Sequence, residues 1–538
     1  MSLWSTITHK LKEMMYKMIG ARTIEQTLHV TPTISAEMEE AIQKWTEMYK
    51  GKAPWLREPD FNDPTRIVSL GLPALIASEK ARTALLEFKS EVTTPVEEEE
   101  IDNPDYIEPQ PDEFGNVMPS IQPKTIKQEK PKTDTKRAEF LNEQYKKLKA
   151  KLRTQIEYGV AKGGLIIKPY IVKDVMAEGE TTPKYKIEWD FCQADSFYPI
   201  AFNSSGDITE AAFLESVVRK DVIYRRLEYH KWESNTVTVI NRAFKSSNVQ
   251  LSSSGVDLGQ EVPLTEIPEW ADLQPETKVT PVSKPLFGYF KMPGANTIDT
   301  SSPLGVSGYS RAVNLIKDAD MQYSRLLWEY EGGELAVDID RNALDFQEKG
   351  SVLPLLQRRL FRKVDIAVTG ETYNPYAPSL RDSSYIQGLN TILMRIEDAV
   401  DLSRGTLADV ASEARTATEL KMQKQKSYQA NDDLQQAIQA AIEAAMYAAN
   451  VLCTLYKITP EGDYEMSFEW DDSIITDVDT ELGKRITLMQ NGLSSKLETR
   501  MWYFGETERQ AQEALQQVEA ENQRSMENDM IMGMNMNE

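Results

Sequence analysis

Residues 309–333 read YSRAVNLIKDADMQYSRLLWEYEGG, and residues 434–455 read LQQAIQAAIEAAMYAANVLCTL. In the first stretch Tyr309, Val313, Ile316, Asp320, Tyr323, Leu327 and Tyr330 recur at intervals of four and three, so they share one helical seam, and only Asp320 breaks its apolar character. Gly332-Gly333 stops that helix, since glycine is the usual residue past a helix end. In the second stretch Leu434, Ile438, Ala441, Ala445, Ala448, Leu452 and Leu455 keep a strict alternation of four and three. This predicts a very long helix over 414–456 that packs along its length against another helix. Between the two lies a compact insert, 334–379, with short strands over 335–339 and 364–369 around a small helix over 353–362. Tyr385, Leu389, Ile392, Ile396 and Ala399 form a further helical seam, followed by a loop-like stretch at 406–413. The order helix, insert, helix, loop, long helix fills residues 305–458.

Upstream, Leu3, Trp4, Ile7, Leu11, Met14, Met15 and Met18 recur at helical spacing but are broken by charge. That pattern predicts an amphipathic arm over 1–32 docking on protein, with a membrane-surface helix as the alternative, and not a secretory signal. Residues 33–88 read as helical pieces, with Met38, Ala41, Ile42, Trp45, Met48 and Tyr49 as one stripe. Residues 93–136 carry seven prolines and the glutamate run 97–100, which predicts an exposed irregular insertion. A Lys/Glu-rich helix over 137–158 follows. From 159 to 245 the pattern switches to period two, predicting an antiparallel sheet with strands near 165–171, 184–189, 197–202 and 208–218. A hairpin over 224–232 and 236–244 turns at Ser234-Asn235. Residues 246–304 read as irregular chain with one short strand at 286–291. After Pro460 come a strand at 464–470, helices over 477–491 and 506–522, and a Met/Asn-rich tail, 525–538, without amphipathic order. The fold class is α+β.

The chain of 538 residues carries 61 Lys+Arg against 84 Asp+Glu, a net charge of −23. Phosphate neutralisation drives DNA affinity, so the chain as a whole is not built to hold DNA tightly. Either nucleic acid is irrelevant to it, or DNA must pass without sticking. Two cysteines, Cys192 and Cys453, give no disulfide framework and point to a reducing, cytoplasmic compartment. No window offers the roughly 20 apolar residues of a membrane span; the nearest, 434–456, carries Gln, Glu and Asn.

Chemistry-bearing motifs are missing. Gly51-Lys52 and Gly483-Lys484 lack the rest of a phosphate-binding loop, and no zinc-protease, EF-hand, dinucleotide or nucleophile-elbow pattern occurs. His9, His29 and His230 are too scattered for a zinc motif, and His230 in its hairpin reads as a structural histidine. Asp471-Asp472 and Asp432-Asp433 read as solvated charge. No catalytic residue, metal or cofactor is expected. One cluster is anomalous in so acidic a chain: Arg358, Arg359, Arg362 and Lys363. Arg358 and Arg362 would share a helical face. The cluster contacts phosphate or an acidic patch on a partner, or it is a solvated basic face.

Several stretches, in order, resemble the portal proteins of tailed bacteriophages. GVAKGGLIIKPY at 159–170 resembles the helix-to-strand entry of the portal wing, and Glu228-Tyr229-His230 before a hairpin resembles its strands. SEARTATEL at 412–420 is similar to the start of the long helix after the tunnel loop. FEWDDSIITD at 468–477 and GLSSKLET at 492–499 resemble the closing strand and crown of portals from phages of Gram-positive hosts. The resemblance covers about 33–522 and rests on segment order. It implies an α/β wing at 33–304, stem helices at 305–333 and 380–403, and a small α/β clip at 334–379. It further implies a tunnel loop at 404–413, a long spine helix and closing strand at 414–470, and helical crown segments at 471–524.

The implied function is a non-enzymatic ring subunit, usually of a dodecamer, at one capsid vertex of the virion, assembled in the host bacterial cytoplasm. Double-stranded DNA would pass through it during packaging and ejection. The implied partners are further copies of the chain, the major capsid protein, scaffolding protein, the terminase large subunit and a head–tail connector or adaptor protein, with no membrane and no cofactor. Arg404, Thr406, Leu407 and Val410 would face the DNA. Arg358, Arg359, Arg362 and Lys363 would dock terminase or connector. The acidic, motif-poor sequence leaves two alternatives: another virion assembly protein without a channel, and a nuclease whose metal is held by dispersed carboxylates.

Overall fold

The structure is a computed structural model that describes residues 24, 27–58, 65–86, 88–102, 125–173, 185–219, 222–246, 258–334, 336–340, 361–364, 373–376, 378–409, 417–470 and 478–505, with isolated residues between 511 and 518. The chain divides into two compact units, Met1–Phe468 and Glu469–Glu538.

The first unit opens with α1 (Ala36–Tyr49), capped by the Ser35 side chain, which accepts the Met38 amide. The predicted stripe Met38, Ala41, Ile42, Trp45 and Met48 is its buried face. Helix α2 (Leu72–Ala84) starts with proline in its first turn, where a missing N–H is harmless. Strands β1 (Lys89–Thr93), β2 (Val96–Asp102) and β3 (Thr125–Pro131) precede α3 (Lys136–Lys162). The segment expected to be irregular thus holds an antiparallel ribbon, in which Glu97 faces Lys130 and Glu100 faces Lys127. Opposite charges across a ladder support pairing without an apolar pattern, here outnumbering the one like-charged pair, Glu98 opposite Glu129, and Pro95 lies just before β2 while Pro131 ends β3. Gly163 ends α3 with φ +91°, and a Cβ there would meet Gly305 O at 2.7 Å.

Strands β4 (Gly164–Lys173), β5 (Tyr185–Gln193), β6 (Phe197–Phe202), β7 (Ile208–Arg219), β8 (Val222–Glu233) and β9 (Thr236–Ser246) follow, then β10 (Gln260–Val262), β11 (Glu276–Val279) and β12 (Gly288–Lys291). They form two sheets rather than one: β12-β4-β5, and β10-β9-β8-β7-β6 with β11 also on β9. The β8–β9 hairpin turns at Ser234 and Asn235, both left-handed, as a two-residue turn matched to strand twist requires. Residues 246–304 contribute three strands where one was predicted. Ile24, the first described residue of the N-terminal arm, packs with Ile200, Leu227 and Phe244 on the larger sheet.

Buried charge joins the two sheets. Lys168 of β4 pairs with Glu228 of β8 at 2.7 Å and with Asp190 of β5 at 3.2 Å, while Arg226 reaches Glu228 at 2.9 Å. His230 meets Glu228 through Nε2 at 2.7 Å and packs edge-on against Phe213. It is a structural histidine.

Next come α4 (Val313–Gly332), β13 (Ala336–Asp340), β14 (Phe361–Val364), β15 (Tyr373–Tyr376), α5 (Asp382–Ala399), α6 (Ala417–Leu455) and β16 (Glu465–Glu469), which pairs with β1. In the insert, β13 runs parallel to β14 and antiparallel to β15. Arg362 and Lys363 therefore lie in a strand, opposite Asp338 and Ile339, not in the predicted helix over 353–362. Arg362 thus follows the period of two of a strand, while Arg358 and the rest of the predicted helix, 353–360, lie outside the described residues. The second unit holds α7 (Val478–Gln490) and α8 (Lys496–Phe504). A reciprocal Ser495–Glu498 capping box starts α8, a Ser-x-x-Glu signal that sequence reading passed over. The helix predicted over 506–522 lies mostly outside the described residues.

The long helix corrects a second expectation. Most of its seam is already covered within the chain, with Leu452 half-buried and Leu455 exposed at its end. Leu434, Ile438, Ala441, Ala445 and Ala448 are buried within the chain, together with Ile442, Met446, Ala449 and Cys453. This face is broader than a coiled-coil stripe; it lies on β4 and β12 and also touches α2 and α3. Gly288 of β12 permits the approach, since a Cβ there would fall 2.0 Å from Ala441 O. Contrary to the window reading, Lys426–Leu455 is long and apolar enough by length and composition to cross a membrane. Its packing on the sheets accounts for that apolar face.

Candidate functional site

Arg404, Thr406 and Leu407 lie in the turn after α5, and Arg362 and Lys363 lie on β14. Arg358, Arg359 and Val410 fall outside the described residues.

The turn is built on Glu397 in the last turn of α5. Its side chain is fully buried. Oε1 accepts the amides of Gly405 at 3.1 Å, Leu407 at 2.6 Å and Ala408 at 2.9 Å. Successive amides converging on one anion form a nest, and hydrogen bonds to an ionised acceptor are stronger than neutral ones. Asp401 reverses the chain with φ +59°, a conformation Asp tolerates better than most residues. Asn390, two turns back on α5, brackets Asp409. Its Nδ2 donates to Asp409 O at 2.6 Å, and its Oδ1 accepts the Asp409 amide at 2.7 Å. Thr406 Oγ1 closes the turn on Ser403 O at 2.6 Å.

Cations around the turn are paired with acids. The Arg404 guanidinium is held by both carboxylate oxygens of Asp398. Lys426 of α6 bonds to Asp401 at 2.7 Å and to the Asp398 carbonyl at 2.7 Å. Ser427 meets Ser403 at 2.7 Å. Burial pushes the Lys80 ammonium of α2 down to about 8, opposed by nearby Asp401. Arg404 is thus not a lone cation; Thr406 and Asp409 are the exposed side chains, with Leu407 half-buried. Glu397, Asn390 and Asp398 went unrecognised in the sequence. Their one signal was the Glu397-Asp398 pair interrupting the apolar end of the seam beside Ile396.

Helix α4 is secured at two further points. Asp320 is buried and accepts Leu70 N at 2.8 Å and Trp55 Nε1 at 2.9 Å, while Ser324 Oγ accepts Val68 N at 3.0 Å. The interruption in the first seam is therefore the point where the segment before α2 is stitched to α4. Burial raises the Asp320 carboxyl despite these donors. At the other end, Glu329 of α4 takes both Nε and Nη2 of Arg381 and the Arg381 amide. Among the described residues, no group of three or more His, Cys, Asp and Glu side chains could hold a metal ion.

Paired helices bracketing a small sheet, a braced turn and a 39-residue helix laid on antiparallel strands define an α+β protein. The profile of the phage portal protein family, SPP1 Gp6-like, matches residues 33–528, and the chain belongs to that family. The family is structural rather than enzymatic, which weighs against the nuclease alternative. No curated protein matches the chain.

Proposed function

We propose that the chain assembles into a ring, usually a dodecamer in this family, at one vertex of a phage capsid, and that double-stranded DNA passes through its channel during packaging and ejection. The observation that carries the reading is the family match across 33–528. In this reading α4 and α5 are the stem, β13–β15 the clip, the turn after α5 the start of the tunnel loop, and α6 the spine. The sheets from β4 to β12 form the wing, and α7 and α8 the crown. Thr406, Leu407 and Val410 face the DNA, with Arg404 neutralised beside them by Asp398. Arg358, Arg359, Arg362 and Lys363 serve the docking end, where terminase and then a connector protein bind. Scaffolding protein and the major capsid protein surround the ring during assembly in the host cytoplasm. A net charge of −23 and paired cations near the turn support sliding over adhesion, because few persistent phosphate contacts are offered.

Electron microscopy of the purified protein tests this. Rings with an axial channel wide enough for a duplex are expected. A monomer, or an assembly without a channel, overturns the reading.

A further inference from the structure

We propose that Glu397 is a positioning residue, whose carboxylate fixes residues 403–409 in one shape so that the turn meets passing DNA as a rigid lip; this rests on the channel reading above. Three features of the geometry point to it. The side chain is fully buried, yet its hydrogen-bond partners among the described residues are the backbone amides of Gly405, Leu407 and Ala408. Its second oxygen, Oε2, is buried without a donor among the described residues. Burying a carboxylate is costly, and three converging amides offset that cost. What the charge adds is a stronger hold on the three amides. Finally, the turn is braced from outside as well, by Asn390 on Asp409 and by Asp398 on Arg404. The braces come from α5, so the shape of the turn follows the helix that carries it.

The test combines hydrogen exchange on the assembled ring, read on peptides spanning 403–409, with the DNA content of particles. Glu397→Ala should speed exchange at Gly405, Leu407 and Ala408 by about a hundredfold. Exchange in α5 and α6 and the number of subunits should stay unchanged, and DNA content should fall. Glu397→Gln keeps an acceptor but not the charge and should fall between. Wild-type exchange at the three amides in Glu397→Ala overturns the anchoring. Fast exchange with wild-type DNA content overturns the positioning role. Should Glu397→Ala not fold, Asn390→Ala removes only the outer brace. Faster exchange at Asp409 with reduced DNA content is then expected, and undiminished DNA content refutes the proposal. A wild-type protein with no axial channel would instead sink the channel reading, which microscopy detects separately from exchange.

Discussion

Arg137 and Asn450, 313 residues apart, meet where α3 begins and α6 ends: Arg137 Nη1 donates to the Asn450 carbonyl at 3.1 Å and to its Oδ1 at 3.0 Å. The same guanidinium donates to Thr454 Oγ1, to Pro460 O at 2.9 Å and to Thr459 O at 3.2 Å. The last carbonyls of a helix lack intrahelical donors and carry the negative end of its dipole. Here following amides take them, Tyr456 N on Leu452 O, Ile458 N on Cys453 O and Lys457 N on Thr454 O, while Arg137, only 1% exposed, ties Asn450 to the chain that leaves the helix. Arg137→Met should therefore lower stability by roughly 2–4 kcal/mol, because it removes every hydrogen bond that a buried guanidinium makes to part-buried acceptors. An unchanged thermal midpoint would refute this account.

The buried cluster around Glu228 makes stability depend on acid. Burial alone would raise the Glu228 carboxyl, but Lys168 and Arg226 outweigh it and hold it well below the ordinary value of 4.5. The folded state then binds its proton less readily than the unfolded chain. The stabilisation is present above 4.5 and is lost as pH falls below it, toward the folded value. Calorimetry should show a midpoint that drops steeply below that point. Glu228→Gln should flatten this limb while lowering stability at neutral pH by about 3 kcal/mol, since buried Lys168 and Arg226 lose their shared partner and keep only Asp190 and Glu215. Adding Lys168→Met should recover part of the loss, and a double variant no better than the single one would contradict the pairing.

Asp398 neutralises Arg404 at the turn. Asp398→Asn should release the guanidinium and raise the affinity of the ring for duplex DNA by at least about tenfold at low salt, with a steeper salt dependence. Equal affinity and slope would mean that Arg404 does not reach DNA.

Gly288→Ala should impair the seating of α6, because the added carbon would lie 2.0 Å from a backbone oxygen of Ala441. Overpacking of this kind costs about 1–3 kcal/mol or more. Gly483→Ala is the matching control: nothing lies within 4 Å, and alanine inside α7 should stabilise that helix by roughly 0.5–1 kcal/mol. Unfolding midpoints that move together in the two variants would discredit the close-approach argument.

Replacing Arg358, Arg359 and Arg362 together with Glu should leave rings visible by microscopy but block packaging or connector attachment. Normal infectious particles from this variant would exclude a docking role.

The α+β class, the β8–β9 hairpin and the two seams before and after the insert were legible because each is written in local periodicity. What escaped depends on distant partners. The partner of Asp320 is a segment 250 residues upstream at Leu70, so its seam position reads as an exception until the chain is folded. The α6 seam mimics a coiled coil because small residues such as Ala441 and Ala445 recur at heptad-like spacing. Only the bare Cα of Gly288 reveals that a strand sits there. The β2–β3 ribbon hid behind its charges. At the candidate site, Arg404 and Thr406 fall in a turn as expected. The group that organises that turn, Glu397, is one acidic residue among 84, and sequence gives no means of singling it out.

Helix α6 is tied at two distant points, at Lys426 and Ser427 to the turn after α5 and at Asn450 and Thr454 to Arg137. At 1.5 Å per residue these points lie about 35–42 Å apart. A rod pinned near both ends and bedded on β4 and β12 carries load lengthwise instead of bending. A pull on the turn is thereby delivered to the base of α3, and the turn and the sheets respond to force as one body.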